Sequence, residues 1–469
     1  MNHGVSVEKR STVKTALKAA DSGIPFYIGA APLQAAVSPA KVGVPILCES
    51  FEDAQEKLGY SDDWTSYPLC EAMDVHFRLY GMAPAIFCNL LDPSAMQESV
   101  AASDVPVEDG RALLPGDAIH DASLVVKAQG GTGEPYTEGE DYSAYYGEDG
   151  QLVVELLDSG TASAAAQLNI AYSKATPSSV TADDVAEHLS AVDLCMVTVG
   201  RIPDLICAPG YDGDAALAAV MALKTTVSGA FSAKAVIEIE DADTAAEAIA
   251  AKDTLGLTDD TQILCWPRVL KDGKIYHRSV HLCALMARVD QGNGSCPYES
   301  PSNKLMEADG MALADGSEVT LTVDEANVLN DAGIVTGLHA FDHWVAWGNR
   351  TAGFPKNDNP EDTIIPVSRM FAWVGNTIVR MVWDNVDRPI TRRLLDDIID
   401  RTNIWLNGLF GEGKIYGARV EAPAAENTSE SLSQGRVRFH IVMTPPSPAE
   451  QIEWVLTYDK SIIASALAE

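Results

Sequence analysis

Two histidines, His339 and His343, stand four positions apart in this chain of 469 residues. At that spacing a helix presents two imidazoles on one face, as zinc ligands or as part of a hydrolytic centre. No glutamate lies between them to activate a water, and Phe341, Trp344 and Trp347 surround them, so a packed core or a turn is the better reading. Asp212-Gly213-Asp214 is a fragment of a calcium loop whose remaining ligand positions are missing, and helix capping accounts for it better. Asp309-Gly310 and Asp315-Gly316 are hairpin-type dipeptides around a short strand, and Gly292-Asn293-Gly294-Ser295 is too weak a signal for a phosphate cradle. A P-loop, a dinucleotide-binding glycine fingerprint, a nucleophile elbow and a zinc-protease helix motif are all absent. The residues therefore point to no catalytic centre, metal or cofactor. A hydrolase using His339, His343 and nearby acids is the enzymatic alternative, and it requires those side chains to converge on an open pocket.

Composition narrows the class. Hydrophobic residues make up 46% and charged residues 21%, ordinary values for a globular chain, and the length suggests two to four domains. No stretch approaches the ~20 apolar residues that span a bilayer. The first residues lack the basic-then-apolar layout of a secretory signal, so folding in a cytoplasm is expected. The eight cysteines are scattered without a CxxC pair, most within apolar runs such as Pro45-Ile46-Leu47-Cys48, as buried free thiols in a reducing compartment would be. A net charge of −34 argues against direct binding of nucleic acid or an anionic membrane. The charge is uneven. Residues 101–180 carry thirteen Asp and Glu against three Lys and Arg, whereas residues 366–419 carry eight basic residues against six acids. Two surfaces with different neighbours are implied.

The elements that would position these residues alternate between strand and helix. Apolar runs at Ile24–Gly29, Val44–Cys48 and Ala85–Leu90 read as strands, with helical patterns between them, one capped by Ser50 and one over Tyr67–Tyr80. From Ala101 to about Val180 the chain becomes acidic and turn-rich, with short β-type runs at Ser123–Lys127 and Gln151–Glu155, the pattern of a β-rich insertion. Alternation then resumes with helices over Ala182–Val192, Asp214–Val227 and Thr244–Ala251 and strands at Leu205–Ala208 and Ala235–Ile239. After Val367 an amphipathic helix follows Pro389, with Ile390, Leu394, Leu395, Ile398, Ile399, Trp405 and Leu406 on one side, and Gly411 marks its end. Strands are predicted over Lys414–Val420, Arg436–Met443 and Glu453–Asp459. The fold class is α/β and multidomain. Both chain ends are strand-like with no partner in adjacent sequence, so they pair either within their own chain or with a neighbouring copy, which would satisfy their backbone groups.

Ordered motifs along most of the chain outside residues 101–180 now carry a resemblance. They are Gly4-Val5-Ser6-Val7, Ile206-Cys207-Ala208-Pro209-Gly210, Ala312-Leu313-Ala314-Asp315-Gly316-Ser317, Trp347-Gly348-Asn349-Arg350-Thr351 and Trp373-Val374-Gly375-Asn376-Thr377. The most specific are Asp387-Arg388-Pro389-Ile390-Thr391-Arg392-Arg393-Leu394-Leu395-Asp396 and Asn403-Ile404-Trp405-Leu406-Asn407-Gly408-Leu409, followed by Gly417-Ala418-Arg419-Val420 and Pro445-Pro446-Ser447-Pro448. This sequence resembles the contractile tail sheath proteins of phages and phage-derived injection particles.

The resemblance implies a structural role in a virion tail or phage-like particle assembled in the bacterial cytoplasm. Copies would stack as six-subunit rings around a tail tube, between a baseplate and a tail terminator. It implies an N-terminal linking arm (1–23), a discontinuous outer α/β domain (24–100 and 181–365), a peripheral insertion (101–180), an inner C-terminal domain (366–452) and a C-terminal arm (453–469). Arms of this family add strands to neighbouring subunits, which assigns Gly4, Val5, Ser6, Val7, Trp454, Val455, Leu456, Thr457 and Tyr458 to strand exchange. The basic residues Arg388, Arg392, Arg393 and Arg401 either face an acidic tube or pair with acids on their own helix, Arg392 and Arg393 with Asp396 and Asp397. The insertion matches nothing recognisable; recognition of a receptor or glycan is one role for it. A tube or baseplate protein is the structural alternative to a sheath.

Overall fold

The computed structural model describes residues 19–147, 150–460 and 462–463. Its centre is an eight-stranded sheet. In spatial order the strands are Ile46–Cys48, Ala85–Asn89, Pro25–Gly29, Leu205–Cys207, Lys234–Glu238, Gln262–Cys265, Ile334–Ala340 and His343–Trp347. The six inner strands run parallel and the two outer ones are antiparallel to their neighbours. Every residue of Pro25–Gly29, Ala85–Asn89, Leu205–Cys207, Lys234–Glu238 and Gln262–Cys265 is buried. Strands covered on both faces read as continuous apolar runs rather than alternating ones, as these do in the sequence.

Helix starts follow local chemistry. Ser50 accepts from the Asp53 amide at 3.1 Å, and Thr181, Thr244 and Thr322 each close a reciprocal capping box with the acid three residues on. Asp214 caps Ala215–Lys224 through the Leu217 amide, whereas Asp212 is wholly buried and accepts from the Glu238 amide at 3.1 Å. The expected helix over Tyr67–Tyr80 divides into Pro68–Met73 and a wider π-type turn, Asp74–Leu79, and the one over Ala182–Val192 tightens to 3₁₀ geometry at Leu189–Leu194. The eight cysteines are all buried and free.

The insertion is two three-stranded antiparallel sheets. One joins Gln97–Pro106, Gln167–Ala175 and Val125–Ala128, and the other Arg111–Leu114, Leu152–Leu156 and Tyr142–Tyr146. They enclose a separate core that includes Leu114, Val126, Leu152, Val154, Leu168 and Ile170. The β-structure begins at Gln97 because the polar, exposed stretch Gln97–Ser99, which periodicity alone does not mark, pairs with Ser173–Ala175.

The C-terminal part consists of the helices Ile365–Val382 and Arg392–Gly411 and the hairpin Gly417–Glu421 with His440–Thr444. Thr391 is the N-cap of the second helix, so Pro389 lies outside it. The predicted strands over Lys414–Val420 and Arg436–Met443 are shorter, because Arg438 is held by Asn427 before the ladder begins at His440.

Candidate assembly site

The strand Pro25–Gly29 starts in the middle of the central sheet, so the chain before it leaves the fold across the helix Ile365–Val382. The contacts there are specific. The Ala20 amide donates to Thr377 Oγ1 at 3.0 Å, and the Ala20 carbonyl accepts from Trp373 Nε1 at 2.9 Å. Arg201 holds Asp21 at 2.9 Å. Ser22 Oγ donates to Asp290 at 2.6 Å, and the Ile24 amide donates to Asp204 at 2.8 Å. Between them lies Arg369, 3% exposed, 2.5 Å from Asp290 and 2.8 Å from Asp204. The bend at Gly23 takes φ +75°, and a Cβ there would stand 2.6 Å from the Ala287 Cα, so only glycine fits.

Electrostatics follow from this geometry. Burial alone would loosen the proton on Arg369, but Asp290 and Asp204 more than reverse that and hold it charged. Burial pushes the Asp290 carboxyl up to about 6 while Arg369 pulls against it. The sheet and the C-terminal helix are also joined by Lys234 on Ser368 at 2.6 Å and by Asn376, which accepts the Ser232 amide at 2.8 Å and donates to its carbonyl at 2.9 Å. The root of the N-terminal segment is thus fixed to the long C-terminal helix as well as to Asp204 and Asp290 of the body. The proposed exchange residues Gly4, Val5, Ser6 and Val7 lie outside the described residues.

The C-terminal root is different. After Thr444 the chain follows a groove of about 900 Å³ lined by Trp347, Asn349 and Arg350, and Arg350 meets Glu450 at 2.5 Å. Beyond that, the predicted strand Glu453–Asp459 makes no ladder among the described residues. Trp454 is 84% and Leu456 94% exposed, with Val455 and Tyr458 also open to solvent. Alternation supplied a strand-forming sequence, and no strand pairs with it among the described residues. The hairpin beside it packs one face on the helix Arg392–Gly411 through Val420 and Met443, and neither of its strands pairs with a third among the described residues.

Arg388, Arg392, Arg393 and Arg401 are exposed on this part of the chain. Arg392 lies 3.7 Å from Asp396, and Asp397 is approached at 4.0 Å by Arg401 instead of by Arg393. Arg388 and Arg393 form no ion pair among the described residues.

Over an alignment of 491 residues the chain is 26% identical to the tail sheath protein of Burkholderia phage BcepMu, covering 99% of this chain and 97% of that one. The tail sheath protein of Escherichia phage P2 is 26% identical over 190 residues, 40% of this chain and 46% of that one. Over nearly its whole length the chain is similar to tail sheath proteins. No family model matches it. Its fold is that of solved contractile assemblies. A chain of the anti-feeding prophage baseplate superposes with a TM-score of 0.59 at 16% identity, covering 98% of this chain and 99% of that one. A chain of the contracted sheath complex of the extracellular injection system PVC superposes with a TM-score of 0.59 at 14% identity, with the same coverage.

In this sheath subunit His339 and His343 share no helix face. They lie on opposite strands of a hairpin, where His339 stacks on Trp344 with ring centroids 5.1 Å apart and His343 pairs with Ala340. Neither lines a described cavity, and no group of three metal-type side chains occurs among the described residues. The helical spacing is cancelled by a two-residue turn at Phe341 and Asp342.

Sequence reasoning missed a different charged cluster, at the carboxyl ends of the parallel strands. His277 Nδ1 lies 2.6 Å from Glu71 and its Nε2 3.6 Å from Glu240, and Arg268 bridges Glu238 and Glu240 at 3.3 Å each. These groups border a cavity of about 460 Å³. Burial would lower the His277 pKa, but Glu71 and Glu240 outweigh it and hold the imidazole well above its usual 6.5. Glu71 and Glu240 face His277, and Glu238 and Glu240 face Arg268, so the charges of this network compensate one another inside the fold. No sequence signal reveals it, because 206 positions separate Glu71 from His277.

Two outcomes follow for the soluble subunit. Arg369→Met leaves Asp290 buried without its cation, and a loss of ~3–5 kcal/mol in the free energy of unfolding, read by denaturant titration, is expected. Because the folded His277 pKa exceeds the unfolded one, its stabilisation is complete below about pH 6.5 and falls as pH rises through the folded value. Melting temperature against pH should show this alkaline decline, and Glu71→Gln should flatten it.

Proposed function

We propose that this subunit polymerises as stacked six-fold rings around a tail tube and that contraction of the stack drives the tube through a target envelope. One observation carries the linkage part of this reading: an exposed apolar arm, Trp454–Tyr458, follows a two-stranded sheet that pairs with no third strand among the described residues. An unpaired edge invites another strand, and an extended arm supplies one. In the polymer, Trp454, Val455, Leu456, Thr457 and Tyr458 of one copy and Gly4, Val5, Ser6 and Val7 of another add to the hairpin of a third. Main-chain hydrogen bonds between arms and hairpins let subunits shift without separating, and rigid roots transmit the pull to the domain junction.

The division into an outer α/β domain (24–100 and 181–365), a rim insertion (101–180) and an inner domain (366–452) suits this geometry. The separate hydrophobic clusters support it. The work of contraction comes from rearrangement between two packings of rigid subunits, triggered at the baseplate, so no catalytic group, nucleotide or metal is required. The free guanidinium of Arg393 supports a tube-facing role for Arg388, Arg392, Arg393 and Arg401. Exposed pairs contribute ~0–1 kcal/mol each and weaken with salt, which suits contacts that must release.

Deletion of residues 453–469 should leave a soluble monomer of unchanged melting temperature that forms no striated tubes by negative-stain microscopy; long tubes from the truncated chain would overturn the linkage. Arg393→Glu should weaken co-sedimentation of assembled sheath with its tube, most at low salt. Unchanged binding would remove the arginines from the tube interface.

A further inference from the structure

The hairpin ladder near the C-terminus ends at Thr444, paired with Gly417, and the exposed arm begins some residues later. The run between them, Pro445-Pro446-Ser447-Pro448-Ala449-Glu450, carries three prolines. Proline has no amide hydrogen and disfavours helical geometry in the residue before it, so this run neither prolongs the ladder nor coils into a helix. A proline-rich run of this kind is extended and stiff, advancing about 3.1 Å per residue. Pro445 is buried, Pro446 and Pro448 are half-buried, and every residue from Ala449 to Lys460 is exposed.

Among the described residues, one polar contact holds 445–458 to the body: Arg350 Nη2 donates to Glu450 Oε2 at 2.5 Å. The donor is itself held from behind. The Asn349 carbonyl accepts the Ile365 amide and the Thr351 amide donates to the Thr363 carbonyl, each at 2.8 Å, so the backbone on both sides of Arg350 is tied to the start of the long C-terminal helix. The Arg350 guanidinium lies over the Phe354 ring, 4.8 Å from its centroid, which restricts the side chain without using its hydrogen-bond donors. A pre-oriented cation thus meets a carboxylate on a segment that has no regular structure of its own.

We infer that Arg350 is a positioning residue for assembly: by holding Glu450 it fixes where, and in which direction, the linking arm leaves the subunit. The inference rests on the strand-exchange reading above. A tethered strand meets its partner edge at an effective concentration set by the length and stiffness of the tether. With the pair formed, the flexible tether starts after Glu450. Without it the tether starts nearer Pro448, and the arm samples more directions and spends less time in line with a neighbouring hairpin. A partly exposed pair contributes little to folding, so its loss bears on the arm and not on the body.

The test uses the full chain with a nitroxide on Ile452→Cys. The eight native cysteines are buried, so the label goes to this exposed position. In the soluble wild-type background the label should move slowly, and Glu450→Ala and Arg350→Met should each free it at unchanged melting temperature. Each should also raise the concentration needed for tube formation roughly threefold or more. Because the two side chains act as one unit, the double variant should be no worse than either single one. Label motion equal in wild type and variants, tubes from both variants at the wild-type concentration, or a double variant worse than the singles overturns the inference. Failure of the wild type itself to form tubes would strike the sheath reading, on which the inference rests, even where the label moves as expected.

Discussion

Arg369 is buried at the meeting point of the central sheet, the long C-terminal helix and the N-terminal segment, and these parts depend on its charge being matched. Asp290 comes from the end of one helix, Asp204 from the loop before a sheet strand, and Ser22 from the root of the arm. A guanidinium removed from water needs such partners, and each partner here belongs to a different segment. Moving any of these segments would strand a buried charge. The cluster therefore makes one mechanical unit of parts that sequence places up to 347 positions apart.

That rigidity contrasts with the surfaces left open. The hairpin near the C-terminus pairs with no third strand among the described residues, and the segment after it exposes Trp454, Val455, Leu456 and Tyr458. A monomer gains nothing from this pairing of features, and exposed edges ordinarily invite uncontrolled association. In a polymer the same features become specific, because the arm leaves from a defined root beside the Arg350–Glu450 pair and reaches only so far. Strong local contacts hold the subunit together, and weak or extended ones connect it to neighbours.

Charge is distributed to the same effect. The subunit as a whole is strongly acidic, so copies repel at long range and approach only where close contacts compensate. The acidic insertion has its own core and joins the body through paired strands at its two ends, while the basic residues gather near the C-terminal helix. Salt screens both contributions on the scale of ~8–10 Å, leaving backbone pairing and shape to determine register.

Much of the α/β body was legible in the sequence. Continuous apolar runs such as Ala85–Asn89 can only be strands covered on both faces, and Ser50, Thr181 and Thr244 announce helix starts because capping is local chemistry. The motifs, above all residues 387–396 and 403–409, carry the resemblance to tail sheath proteins in the sequence itself. Tertiary structure alone decided the rest. His339 and His343 had helical spacing but lie across a hairpin, because two residues at a turn outweigh periodicity. Glu453–Asp459 had strand alternation but forms no ladder among the described residues, because alternation fixes which side chains share a face and not which edge the segment meets. Arg369 with Asp290, and Glu71 with His277, pair across distances in sequence over which neither spacing nor composition carries information. Local preferences depend on a few adjacent residues and can be read from them, whereas matching a buried charge depends on which segments the whole fold brings together.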